Sequence, residues 1–187
     1  MNKDEIRKEI KKARREITGD ERRVKSLAAQ MLLIATAEYT EAKSIMLYFP
    51  LGSETDTAYI SEKAFADGKR VIYPVTDEAS GVITPVEAIR GAEFTKGGFG
   101  ILEPKGEGYT GMIDLVVVPG VAFDRRGGRL GFGKGCYDAF LIGTDAYRIG
   151  LCYDVQLLDT LPTEAHDVRM DAVITENEVI YVKKKNA

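Results

Sequence analysis

The stretch from Asp114 to Asp138 reads DLVVVPGVAFDRRGGRLGFGKGCYD, and the rest of the chain can be organised around it. Leu115 to Val118 is a continuous apolar run dominated by β-branched residues, the pattern of a central strand covered on both faces. Pro119-Gly120 ends it, and Asp124 to Gly128 reads as a tight turn. Gly131, Gly133 and Gly135 then alternate through a loop that leads into a helix starting near Cys136. A buried strand feeding a glycine-rich loop and a helix is the unit of an α/β fold.

Upstream, Ser44 to Phe49 (SIMLYF) is a second apolar strand, followed by the loop signal Pro50-Leu51-Gly52. A helix over about 55–67, closed by Gly68, and a strand from Arg70 to Tyr73, stopped by Pro74, complete a strand-helix-strand unit. Such a unit implies a parallel pair with a right-handed crossover. At the N-terminus, Ile6, Ile10, Ala13 and Ile17 give a helix over 3–17. A second helix over about 20–37 is expected to bury Val24, Leu27, Ala28 and Met31, with Ile34 or Ala35. Residues 77–111 receive no regular structure. Downstream, Tyr147–Leu151, Ala172–Thr175 and Val179–Val182 are strands, with Glu176-Asn177 as a turn and Lys183–Ala187 a frayed tail. The sum is one domain over residues 1–187, with helices on both faces of a mostly parallel or mixed sheet. Ligands in such folds sit outside the carboxyl ends of the strands, so the loops after Phe49, Tyr73 and Val118 are the places to look.

Composition narrows the chemistry. A net charge of -3 offers no basic field for nucleic acid. No apolar run approaches a bilayer's width, and the charged N-terminus lacks the apolar segment of a signal peptide. Cys136 and Cys152 form no CxxC pair, which suits a reducing, cytoplasmic setting. With His166 the sole histidine, a Cys/His zinc site cannot be assembled, and a Ser-His-Asp or Cys-His mechanism would rest entirely on His166.

What remains points to anions. Alternating glycines let backbone amides approach a phosphate, and Lys134 and Arg129 add positive charge. Asp138 lies in the first turn of the following helix, where a phosphate-bound Mg²⁺ could be met. The loop is neither a Walker A motif nor a dinucleotide fingerprint, and its spacing alone is equally compatible with a tight turn. Lys3, Arg7, Lys11 and Arg14 share a helix face. Interleaved with Asp4, Glu5, Glu9 and Glu16, they read from spacing alone as a solvated surface. Asp167 and Asp171 could bind a metal or hold a loop, with His166 a possible proton donor. Glu54 could hold a polar substrate group or serve as a helix N-terminal acid.

Together these segments resemble the 5-formyltetrahydrofolate cyclo-ligase family. Asp114–Asp138 is similar to a DLxxVPGxAFD start followed by a turn and RLGxGxGxYD. Lys3 and Arg7 match a K-x3-R start, Phe49 to Thr57 a segment with a glutamate after the first strand, and His166 to Thr175 an HDVxxDxxIT segment. The resemblance implies a three-layer α/β/α fold, like those of sugar-phosphate isomerases and CoA-transferases. It also implies a monomeric enzyme that uses ATP and Mg²⁺ to convert 5-formyltetrahydrofolate to 5,10-methenyltetrahydrofolate through an imidate phosphate. Lys3, Arg7, Arg129, Gly131, Gly133, Lys134, Gly135 and Tyr137 would bind ATP. Phe49, Glu54, Phe132 and Cys136 would meet the folate, and Asp138 and Asp167 the metal. Arg129, Lys134 and Asp138 would carry the chemistry. Cys136 stands where the family pattern has an aromatic residue, and Lys134 replaces a glycine common in bacterial members. The alternative is a non-catalytic relative that binds nucleotide or folate and regulates.

Overall fold

The computed structural model describes residues 1–164 and 166–183. Its helices are α1 (Lys3–Glu16), α2 (Gly19–Ile34), α3 (Ala37–Glu41), α4 (Ala58–Ala66) and α5 (Cys136–Ile142). Its strands are β1 (Ser44–Met46), β2 (Arg70–Thr76), β3 (Ile83–Ala88), β4 (Phe94–Lys96), β5 (Leu102–Pro104), β6 (Leu115–Val118), β7 (Ala122–Asp124), β8 (Arg129–Leu130), β9 (Tyr147–Leu151), β10 (Leu157–Leu158), β11 (Ala172–Ile174) and β12 (Val179–Tyr181).

Seven strands form the main sheet in the order β12-β11-β9-β6-β1-β2-β3. The five inner strands are parallel, and β12 and β3 are antiparallel edges. The Leu115–Val118 strand lies at the centre, as its uninterrupted apolar run predicts. Alternation along it feeds two cores. Leu115 and Val117 face Ile45, Val71, Leu33 of α2 and Ile60 of α4. Val116 and Val118 face Met46, Ile72, Phe123 and Leu141 of α5. A smaller sheet, β10-β7-β8, lies beside the second layer, and α1 packs Ile6 and Ile10 onto its Val121, Ala122 and Leu130.

The architecture is therefore the expected mixed α/β sheet with helices on both faces. Chain order along the sheet reverses between β1 and β6, since β2 follows β1 on one side while β6 and β9 lie on the other. Crevices form at such a reversal because the connections leave in opposite directions.

Three local expectations need correction. Helix α2 exposes Val24, Leu27 and Met31 and buries Ser26, Ala29, Gln30 and Leu33. The buried polar groups are used. Gln30 Oε1 accepts the Tyr59 and Ile60 amides of α4, and Ser26 Oγ bonds the Tyr153 hydroxyl at 2.8 Å and the Asp56 amide at 3.1 Å. Helix α4 lacks a side-chain cap of its own, so Gln30 supplies one from the neighbouring helix. Next, β2 continues through Pro74, which lies opposite Pro85. Neither proline has an amide hydrogen, so the pair occupies a position that exchanges no hydrogen bonds, on a stretch with only β3 alongside. Finally, 77–111 contains β3, β4 and β5. The expected tail lies outside the described residues apart from Lys183.

Candidate functional site

A cavity of about 820 Å³ opens at the β1–β6 reversal. Tyr48, Phe49 and Leu51 enter it from the end of β1, Pro74 and Thr76 from β2, and Pro119 from β6. The positions after Phe49 and Val118 are loops singled out from the sequence, whereas the stretch after Tyr73, also expected as a loop, is the end of β2. Every residue expected at the site lines this one space, from Lys3 and Arg7 through Phe49, Glu54, Arg129 and Gly131–Asp138 to Asp167.

The glycine loop is positioned by the hairpin before it. Asp124, buried at the end of β7, accepts the amides of Arg126 at 2.9 Å, Gly128 at 2.7 Å and Leu161 at 2.8 Å. That closes the turn and aims β8 at the cavity. Arg129 leaves β8 with its guanidinium almost wholly buried. Its Nη2 bonds Asp138 Oδ2 at 2.7 Å, and the group lies beside the Tyr137 ring. A Cβ on Gly131 would stand 2.9 Å from Arg129 Nη1, so only glycine leaves the guanidinium its place. Gly133 (φ +100°) and Gly135 (φ +69°) occupy backbone conformations that L side chains rarely adopt. Lys134 extends its ammonium over the Phe99 ring, 3.5 Å from the centroid.

Helix α1 folds back on this loop. An Asn2–Glu5 capping box fixes its first turn, with Asn2 Oδ1 accepting the Asp4 and Glu5 amides. Arg7 Nε donates to the Gly131 carbonyl at 3.0 Å. Lys3 Nζ lies 3.0 Å from Asp167 Oδ2 and 2.9 Å from Glu164 Oε1. The solvated-surface reading of this basic face fails along its whole length. Lys11 stands over the Phe132 ring, 4.8 Å from its centroid, and Arg14 is 4% exposed.

Asp138 and Asp167 are neighbours, because Asp138 Oδ1 accepts the Val168 amide at 3.2 Å. Burial works against ionisation of Asp167, but the Glu164 amide and Lys3 more than offset it and bring the carboxyl below its usual range. Among the described residues no group of three or more His, Cys, Asp and Glu side chains is arranged to enclose a metal. Two adjacent carboxylates beside the glycine loop do fit magnesium, which takes few protein ligands and completes its shell with other oxygens and water. Asp171 instead holds a loop, accepting the Arg148 amide at 2.9 Å. His166 is largely exposed beside Glu164.

The remaining lining is apolar and converges on one acid. Phe49 stacks on Tyr73 at 4.8 Å and meets Phe94 edge-on at 4.6 Å, while Ile83, Phe99 and Ile101 add further wall. Glu54 is buried, and its Oε2 accepts the Leu51 amide at 2.8 Å. It precedes α4 by several residues and faces the cavity, so it is no helix-terminal acid. Burial pushes its carboxyl up, opposed by the Leu51 amide and the Arg14 charge. Burial and the neighbouring Glu54 charge raise the Tyr48 and Tyr137 hydroxyls. Glu54 thus presents a buried acid at the apolar end of the cavity.

The model of the 5-formyltetrahydrofolate cyclo-ligase family matches residues 1–176. The chain belongs to this family. It is accordingly an enzyme, of the ligase class. Among curated cyclo-ligases, the Mus musculus protein is 30% identical, with 92% of each chain covered. The Escherichia coli K12 protein is 29% identical, over 91% of this chain and 98% of its own. The structure of Aquifex aeolicus 5,10-methenyltetrahydrofolate synthetase superposes with a TM-score of 0.87 at 32% identity, over 100% of this chain and 96% of that one. The Mycoplasma pneumoniae synthetase gives 0.76 at 26% identity, over 94% and 99%.

Within this cyclo-ligase-family chain, sequence reasoning missed Phe99 and Ile101, which lie where no structure was assigned. The doublet Gly97-Gly98 was the available signal. A side chain at Gly98 would collide with the Thr76 carbonyl, so the glycines mark a close approach to β2. No described helix is long and apolar enough to cross a membrane.

Proposed function

We propose that the chain closes 5-formyltetrahydrofolate to 5,10-methenyltetrahydrofolate and converts ATP to ADP and phosphate as it does so. The observation that carries this reading is one cavity lined by both a basic glycine loop and an aromatic slot with a buried acid. Phosphoryl transfer between two substrates needs both held in one water-poor space.

A formamide carbon resists attack because its oxygen leaves badly. In the proposed reaction that oxygen attacks the γ-phosphorus, the bond to the ADP oxygen breaks, and an imidate phosphate forms. N10 of the folate then attacks the activated carbon and loses its proton. The carbon–oxygen bond breaks, phosphate departs, and the N5–C–N10 bridge remains as the methenyl cation.

The chain's residues have matching tasks. Amides of Gly131–Gly135 and the cations Lys3 and Arg7 hold the phosphates. Arg129, fixed by Asp138, presents a guanidinium that needs no reorganisation as charge develops. Lys134, which rests over the Phe99 ring, would add its charge to the phosphoryl group as it transfers. Glu54 accepts N–H donors of the pterin between Phe49, Phe99 and Ile101. Magnesium, held by Asp138 and Asp167 together with phosphate oxygens, would neutralise charge on the transferred group.

The direct test is incubation with 5-formyltetrahydrofolate, Mg²⁺ and ATP while methenyl absorbance and ADP are followed. Equal, ATP-dependent appearance of both supports the proposal. Binding of either compound without turnover would favour a regulatory relative, and turnover without ATP would remove the phosphoryl-transfer reading.

A further inference from the structure

Arg14 is a cation with almost no access to water, and the tasks above leave it unused. It sits on the helix that carries Lys3 and Arg7, roughly 16 Å along the axis from Lys3. Its Nε donates to Ser53 Oγ at 2.9 Å, and its Nη1 reaches the Gly120 carbonyl at 3.5 Å. Ser53 is in the loop after β1, beside Glu54, and Gly120 is in the loop after β6. Those two loops flank the reversal at which the cavity opens. Among the described residues Arg14 forms no ion pair, and the carboxylate that acts on it through space is Glu54. A guanidinium this buried is costly unless something compensates it, and a single surface residue would not be built this way.

We propose that Arg14 is a positioning residue for substrate recognition: it pins the two loops that end the reversal-point strands and holds the Glu54 carboxylate ready as acceptor for an N–H-donating heterocycle. The inference rests on Glu54 facing the folate. The other groups around Glu54 do not substitute for Arg14. Tyr48 from the end of β1, Tyr137 from α5 and Tyr153 after β9 are neutral phenols, their hydroxyls raised chiefly by burial. The Tyr153 hydroxyl meets the Glu54 backbone carbonyl at 3.3 Å rather than its carboxylate. Arg22 lies near Arg14 and Tyr153, and Arg129 acts on Tyr137; neither is among the charges that act on Glu54. Removing Arg14 therefore leaves Glu54 without its cationic neighbour. A carboxyl so released stays protonated to higher pH, so binding that needs the carboxylate is lost earlier as the pH falls.

The experiment measures 5-formyltetrahydrofolate and ATP affinity against pH for the native protein, Arg14→Met, Arg14→Lys and Glu54→Gln. Arg14→Met is expected to move the acid limb of folate binding upward by about one pH unit and to weaken folate about tenfold at neutral pH. ATP affinity should not change. Arg14→Lys should keep the native pH limb, because the charge remains, yet bind folate less tightly, because one ammonium cannot bridge both loops. An unshifted limb in Arg14→Met, or parallel loss of folate and ATP, overturns the proposal. If Arg14→Met does not fold, Arg14→Lys decides: native folate affinity contradicts the pinning, and a shifted limb contradicts the charge role. Glu54→Gln separates this from the functional reading. Native folate binding by Glu54→Gln would remove Glu54 from the substrate site altogether. Folate loss there, with Arg14→Met unshifted, would remove only the role of Arg14.

Discussion

Two glycine-rich connectors meet over the cavity, Gly131–Gly135 and Gly97–Gly100, and Lys134 touches Phe99 where they join. The first is held by charges. Arg129 and Asp138 brace it from either side, and Arg7 fixes its carbonyl from α1. The second is held by its own backbone turns and by carboxylates that accept main-chain amides. Glu78 accepts the Phe99 amide, Glu103 accepts the Thr76 amide at 2.9 Å, and Phe99 itself sits at φ +55°. A non-glycine residue in that conformation costs on the order of 1 kcal/mol and persists only where its surroundings require it. Similar compositions thus serve different ends. In the proposed reaction one loop would offer amides and cations to an anion, and the other an aromatic ring to a flat heterocycle.

The largest effects should come from breaking the first loop. Gly133→Val places a side chain at φ +100°, with Arg7 within 3.5 Å of its Cβ. We expect ATP affinity to fall about 100-fold or more, roughly 2.7 kcal/mol, with little change in Tm. Nucleotide titration alongside thermal melting checks this; native ATP binding would reduce the loop to a structural turn.

Asp138→Asn should act next most strongly. The Arg129 guanidinium would lose its ionic partner, and turnover should fall about 100-fold or more because preorganised charge is lost. Stability should fall too, by about 1–3 kcal/mol, since Arg129 is buried. Paired single-turnover and denaturant measurements separate the two losses. Full activity in a destabilised variant would confine Asp138 to structure.

The second loop should respond differently. Phe99→Gly relieves the left-handed backbone but deletes the ring that Lys134 covers. Folate KM should rise about tenfold from lost apolar contact, with ATP KM unchanged and stability unaltered or slightly higher. A loss confined to ATP would show that the two loops do not divide the substrates.

The smallest effect concerns acid. The Asp167 carboxyl is lowered in the folded chain. Its stabilisation is therefore complete above its unfolded value of about 3.9 and is lost as pH falls through the lower folded value. Asp167→Asn should flatten that acid limb of a stability-versus-pH curve. An unchanged limb would mean that Lys3 and the Glu164 amide contribute nothing there.

The same contrast explains what could be read before any coordinates. The central strand was plain because four consecutive apolar residues can only be buried on both faces. The Arg129–Asp138 loop was legible through its resemblance to a long family pattern, since its glycine spacing alone read equally as a tight turn and its contacts to Arg7 and Phe99 are distant in sequence. Arg14 and Phe99 were not. Arg14 shares its spacing with Lys3, Arg7 and Lys11 of α1, and only the turn of the helix against Ser53 and Gly120 marks it as the buried one. Phe99 depends on Glu78, on Glu103 and on a strand that continues through Pro74, none of which leaves a local periodic signal. Helix α2 misled for a related reason. Val24, Leu27 and Met31 point outward because Ser26 and Gln30 take the inward face to cap and tie neighbouring segments, a task that hydrophobic patterning does not register.

In the proposed reaction both substrates meet inside one cavity, with the formyl oxygen as the phosphoryl acceptor. The most direct measurement uses 5-formyltetrahydrofolate labelled with oxygen-18 in the formyl group, in a single turnover with ATP and Mg²⁺. The account predicts that the label appears in inorganic phosphate in step with methenyl absorbance. Label released as water, with unlabelled phosphate, would contradict it.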